Sequence, residues 1–154
     1  MKVVFHDDFY QVYTSDPASA PGRMEAIVAE IESDVELVMA VPAGEEDIAR
    51  VHDRDHIDAM RHEGLFEISA LAAGGAIQTA MLGLDEPCFG LLRPPGHHAS
   101  AGSAWGFCYF NNMAIAIEAL KAQKKIQTAF VLDIDLHFGD DKHGRLAGYL
   151  GLYG

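Results

Sequence analysis

Short apolar runs alternate with segments whose apolar residues recur at helical spacing, and this alternation constrains the fold more than any other feature of the chain. Residues 2–5 (Lys-Val-Val-Phe) read as a short buried strand, 35–41 as a second strand stopped by Pro42, 88–92 as a third and 128–135 as a fourth. Met24, Ile27, Val28 and Ile31 share one helical face over 23–32, after a Pro/Ser/Ala/Gly stretch at 15–22 that predicts loop. Residues 45–52 and 55–62 predict two short helices. A longer helix is predicted over 65–82, where the Gly74-Gly75 pair lowers helix propensity and points to close packing against a sheet. Residues 112–124 predict an amphipathic helix with Asn111 or Asn112 as its cap and basic residues at its end. Strands alternating with helices predict one α/β domain with a mostly parallel sheet. In such sheets ligands bind at the carboxyl ends of the strands.

A chain of 154 residues suits one such domain. The net charge of −12 argues against a nucleic-acid surface, which needs a basic stripe. It is compatible with a cationic small substrate. No apolar run is long enough to span a membrane, and residues 1–7 lack the long apolar segment of a signal peptide, so the sequence predicts a cytoplasmic protein. Cys88 and Cys108 both sit among apolar residues and read as buried, reduced thiols.

Chemistry begins where the fourth strand ends. Ala129-Phe130-Val131-Leu132 is apolar, and Asp133-Ile134-Asp135-Leu136-His137-Phe138-Gly139-Asp140 follows it. If that segment stays extended, Asp133, Asp135 and His137 point the same way, since side chains alternate along a strand. Two converging carboxylates repel unless a cation compensates, and oxygen and nitrogen ligands on one short segment suit zinc. The third strand leads into Leu92-Arg93-Pro94-Pro95-Gly96-His97-His98-Ala99, a stiff loop that presents two adjacent imidazoles able to act as base and acid. Each imidazole needs an orienting carboxylate, and Asp133 and Asp140 are available. The aromatic, Gly-rich segment Trp105-Gly106-Phe107-Cys108-Tyr109-Phe110-Asn111-Asn112 reads either as a hydrophobic plug or as the wall of a narrow channel.

These residues resemble the histone deacetylase and acetylpolyamine amidohydrolase family. Residues 93–99 are similar to its tandem-histidine signature, 106–112 to its next block and 133–140 to its metal-binding block; Val51-His52-Asp53 and the helix at 65–82 resemble its early region. The resemblance implies a three-layer α/β/α arrangement of the arginase-deacetylase type. It implies Asp135 and His137 as two of three zinc ligands, with His97 and His98 oriented by Asp133 and Asp140 respectively. His98 would transfer protons and His97 would act electrostatically. Asp133, with backbone oxygens of Asp135 and His137, would help hold a potassium ion. Gly106 would offer its carbonyl to the substrate amide, and Phe107 would line the acyl-amine channel. The implied reaction is hydrolysis of an N-acetyl amide of lysine or a polyamine, with zinc polarising the carbonyl and activating a water, and a tyrosine hydroxyl stabilising the oxyanion.

The similarity runs from about residue 1 to about residue 140, and the sequence of 141–154 departs from it. The family pattern after Asp140 is Gly then Thr, whereas this chain has Asp141-Lys142. The third zinc ligand and the oxyanion tyrosine are not matched, and neither Tyr149 nor Tyr153 lies in a corresponding motif. The domain is therefore expected to be a truncated one, inactive alone. Its fourth strand is expected to close onto the third or to pair across a dimer, and its apolar tail (Leu146, Tyr149, Leu150, Leu152, Tyr153) to cover the sheet in a homo-oligomer. The alternative is a catalytically dead remnant acting as an oligomeric binding or structural module. An arginase-like two-metal hydrolase shares the broad fold, but the Asp-x-Asp-x-His order and the Pro-Pro-Gly-His-His loop fit it less well.

Overall fold

The computed structural model of the chain describes residues 1–137, 139 and 150–151. Three parallel strands, β1 (Lys2–Phe5), β2 (Glu36–Met39) and β3 (Cys88–Gly90), form a sheet in the order β2-β1-β3. Val3 lies opposite Leu37 on one side and Phe89 on the other. Val3, Val4 and Phe5 are all buried, so the central strand is covered on both faces, which explains why it reads as a continuous apolar run. The helices are α1 (Arg23–Ile31), α2 (Glu45–Ile48), α3 (Arg54–His62), α4 (Phe66–Leu82) and α5 (Asn112–Ala122). Met24 and Val28 of α1 join β1 and Ile68, Leu71 and Ala72 of α4 in one core. This is the α/β architecture the alternation predicts.

α4 organises the rest. Every residue from Ile68 to Gly75 is buried, as expected of a helix that is apolar all round. It contacts β1 and β3, and α5 packs along it. A second core lies on that side, built from Ile48, Val51, Ile57, Met60, Ala70, Ala73, Phe110, Ala114 and Ile115. The paired glycines permit the approach. A Cβ on Gly74 would sit 2.0 Å from the Val41 carbonyl oxygen, and one on Gly75 would sit 2.6 Å from a Leu92 methyl. The helix therefore lies against the loop that leaves β2 and against the residues that leave β3. Among the described residues, no helix is long and apolar enough to cross a membrane.

The fourth strand departs from expectation. Only Leu132–Asp133 forms a strand (β4), and it pairs in parallel with Leu150–Gly151 (β5) rather than with β3. Two aspartates end it after Asp133. Asp133 Oδ1 accepts from the Asp135 N–H at 2.9 Å, and Asp135 Oδ1 accepts from the His137 N–H at 2.8 Å, so side chains take donors a strand ladder would use. Phe130, Leu132, Ile134 and Leu136 are exposed, while Val131 is buried. Apart from Leu150, the tail residues expected to cover the sheet lie outside the described residues.

Candidate active site

The tandem-histidine loop follows β3 and is held at three points. The guanidinium of Arg93 is buried and donates to the backbone carbonyls of Phe9, Gln11, Ala18 and Ala20, tying the loop to the segment after β1. Asn112 Nδ2 donates to the Pro94 carbonyl at 2.9 Å, and Asn111 Nδ2 donates to the Ala99 carbonyl at 3.1 Å. Two adjacent asparagines thus grip both ends of the loop that carries the histidines. Gly96 lets it lie flush, since a Cβ there would meet the Asn112 nitrogen and the Phe110 oxygen at 2.6 Å.

The His97 and His98 rings adjoin, with centroids 4.1 Å apart and planes tilted by 42°. His97 Nδ1 lies 3.0 Å from Asp133 Oδ2, and its Nε2 lies 3.9 Å from Asp135 Oδ1. A carboxylate only accepts, so the ring proton belongs on Nδ1 and the Nε2 lone pair is left for the cleft. His98 is buried, with its ring edge-on to Trp105 at 5.1 Å and 5.9 Å from the His137 ring. Asp140, the expected partner of His98, lies outside the described residues.

Trp105 and Cys108 exchange backbone hydrogen bonds at 3.2 and 2.9 Å, closing a tight turn whose two central residues are both left-handed: Gly106 at φ +53° and Phe107 at φ +52°. The conformation costs glycine nothing, but a phenylalanine about 1 kcal/mol or more. It places both residues on the wall of the cleft. Gly106 is also pressed against the site, since a Cβ there would lie 2.8 Å from His98 Cδ2. Behind the turn, the buried Cys108 thiol is pushed up to about 11, first by burial and further by the charges of Asp135 and Asp133. It is no nucleophile at neutral pH.

Asp135 and His137 lie at the mouth, both largely exposed, with Asp135 Oδ1 and His137 Nδ1 3.1 Å apart. Hydrogen bonds from the His137 backbone N–H hold the Asp135 carboxyl below the usual carboxylate range, against a smaller opposing effect of burial. Two ligands on one tetrahedral zinc lie about 3.3 Å apart, so this oxygen–nitrogen pair fits as two of its ligands. Among the described residues, no three side chains of ligand type are placed to hold one metal ion together. Asp133, Asp135, His137, His97, His98, Gly106 and Phe107 line one cleft of about 500 Å³, whose remaining wall is largely apolar: Leu92, Met113, Val131 and Trp105. The sequence reading missed the grip of the two asparagines. The signal was a second asparagine beyond the single one that a helix cap requires; Asn111 Oδ1 is the one that caps α5, accepting from the Ala114 N–H.

The fold is α/β with a parallel sheet, and the cleft gathers histidine and aspartate side chains beside the loop that leaves β3. The family profile described as "Histone deacetylase domain" matches residues 61–144. A histone deacetylase-like amidohydrolase of Pseudomonas aeruginosa is 35% identical over 132 residues, covering 73% of this chain and 35% of that protein. A probable deacetylase of Methanothermobacter thermautotrophicus is 35% identical over 159 residues, covering 90% of this chain and 48% of that protein. The crystal structure of the HDA15 HD domain superposes with a TM-score of 0.78 at 26% identity, covering 91% of this chain and 49% of that one. The chain belongs to the histone deacetylase family. It spans about half the length of these relatives, or less.

Proposed function

We propose that this cleft is the histidine–aspartate side of a zinc amidohydrolase site that cleaves N-acetyl amides of lysine or polyamines. The observation that carries the reading is the shared cleft: His97 bonded to Asp133 at 3.0 Å, His98 beside His97 with centroids 4.1 Å apart, and the Asp135/His137 pair at ligand spacing. Asp135 and His137 would hold zinc, which supplies Lewis-acid polarisation of the acetyl carbonyl. Asp133 keeps the His97 proton on Nδ1 and orients the ring, so His97 contributes a fixed dipole and, when protonated, a positive charge to the cleft. His98 is the group proposed to take a proton from the attacking water and return it to the leaving amine, with Asp140 as its orienting partner. Asp133 would also help hold a potassium ion. The Gly106 carbonyl would accept from the substrate N–H, and Phe107 would flank the acyl chain. The protein is proposed to act in the cytoplasm on small acylated amines, with no role for nucleic acid or membrane.

A second reading, an inactive oligomeric binding or structural module, is favoured by one observation: the apolar side chains of Phe130, Leu132, Ile134 and Leu136 are exposed. Elemental analysis of zinc per chain, alongside deacetylation of an acetyl-lysine substrate on the same sample, tests the first reading. Near-stoichiometric zinc with turnover supports it, and absence of both favours the module. A monodisperse monomer by light scattering would refute the homo-oligomer.

A further inference from the structure

A second histidine pair lies behind the site, and the proposed chemistry makes no use of it. His52 follows α2 and His56 lies in α3; both are buried, with ring centroids 5.0 Å apart. His52 Nε2 accepts from the backbone N–H of Asn111 at 2.9 Å. His56 Nε2 meets the Tyr109 carbonyl at 2.7 Å, which a neutral ring does as the donor. The two rings thus hold the backbone on either side of Phe110, the segment that leads from the Gly106-Phe107 turn into α5.

Asn111 is the junction. Its backbone is held by His52, its Oδ1 caps α5, and its Nδ2 holds the Ala99 carbonyl next to His98. Only a neutral His52 with its proton on Nδ1 can accept at Nε2. That Nδ1 is buried, and the carbonyls of Ser100 and Ala101 act on the ring without meeting it in full hydrogen-bond geometry. A leucine would fill the same space, but only an acceptor at this position answers the Asn111 N–H, which is buried and would otherwise be left unpaired.

We propose that His52 is a positioning residue for the tandem-histidine loop: through Asn111 it sets the placement of the His98 ring against Gly106. The positional claim stands on geometry, and its consequence for turnover rests on the proposed amidohydrolase reading.

The test uses His52→Leu, which fills the space without an acceptor, and His52→Gln, whose Oε1 restores one. In the folded chain at pH 7, His52→Leu should shift the Asn111 amide resonance and the ring resonances of His98, and His52→Gln should return them toward the unsubstituted values. Unchanged His98 resonances in His52→Leu, or equal disturbance by both variants, would overturn the proposal. Should His52→Leu not fold, the unsubstituted chain decides: ring nitrogen shifts must show His52 as the Nδ1–H form with an accepting Nε2, and an Nε2–H form would overturn it. Where the chain turns over substrate, His52→Leu should lower kcat ~10–100-fold, as loss of outer-shell support does, with KM within about twofold and recovery in His52→Gln. Absence of turnover in the unsubstituted chain would leave the resonances alone to judge the positioning role.

Discussion

Acidification should weaken this fold in a specific window, and His52 contributes a large step. Burial, and then the neighbouring His56, hold the His52 ring down to about 4 from an ordinary value of 6.5; Asp53 and the carbonyls of Ser100 and Ala101 offset this only in part. The neutral ring is the one that fits. Below pH 6.5 the unfolded chain binds a proton at this position, whereas the folded chain does not until about pH 4. The associated stability is fully present above pH 6.5, is lost progressively as pH falls toward 4, and falls no further below that. At about 1.4 kcal/mol per pH unit, the whole step is about 3 kcal/mol, a large part of the stability of a domain of this size. Urea unfolding followed by far-UV circular dichroism from pH 7.5 to 4 measures it. The chain has 8 histidines, so the decisive quantity is the difference between the unsubstituted chain and His52→Gln. The variant should lose stability less steeply between pH 6.5 and 4, by up to one proton's worth of slope. Parallel curves would refute the argument that His52 is held neutral by burial. The Asp135 carboxyl does not blur this window. Its value is depressed, so its contribution is present above the ordinary carboxylate value of 3.8 and is lost only below it.

Further expectations follow from contacts already described. Gly74→Ala places a methyl 2.0 Å from the Val41 carbonyl oxygen, which is backbone and cannot rotate away, so it should destabilise the chain by about 3 kcal/mol or more in urea unfolding. Gly106→Ala combines a left-handed φ with a clash on His98, and should cost about 1–3 kcal/mol while displacing the His98 ring resonances. Asn111→Ala removes the α5 cap and the grip on Ala99 together, and should cost about 1–2 kcal/mol; Asn111→Asp, which caps but cannot donate to Ala99, should recover only part. If Asp135 and His137 hold zinc, His137→Ala should weaken zinc binding at least ~10-fold by calorimetry, and an unchanged isotherm would remove that pair from the site.

The fold class was legible because it rests on local patterns. Apolar runs of strand length and 3.6-residue periodicity are properties of neighbouring residues, and they located β1, α1, α4 and α5 closely. The three chemical segments were legible for the same reason, since each is a contiguous run. The length of β4 was not legible: an apolar stretch reads as a strand whether or not a neighbouring strand lies beside it, and past Asp133 the two aspartates take up the donors of Asp135 and His137. Nor could spacing reveal that Trp105-Gly106-Phe107-Cys108 closes a turn with a left-handed phenylalanine, because nothing in the chemistry of Phe107 favours it.

The sequence by itself determined the inventory: which elements form, which carboxylates and imidazoles exist, and which lie next to one another along the chain. Tertiary structure decided the pairings. His97 meets Asp133 across 36 residues, His52 meets Asn111 across 59, and Arg93 reaches back to the loop after β1. Such contacts depend on how the buried helix α4 seats against the sheet and draws α5 after it. That seating is governed by the space at Gly74 and Gly75, where the lack of a side chain becomes informative only once the opposing backbone is in place.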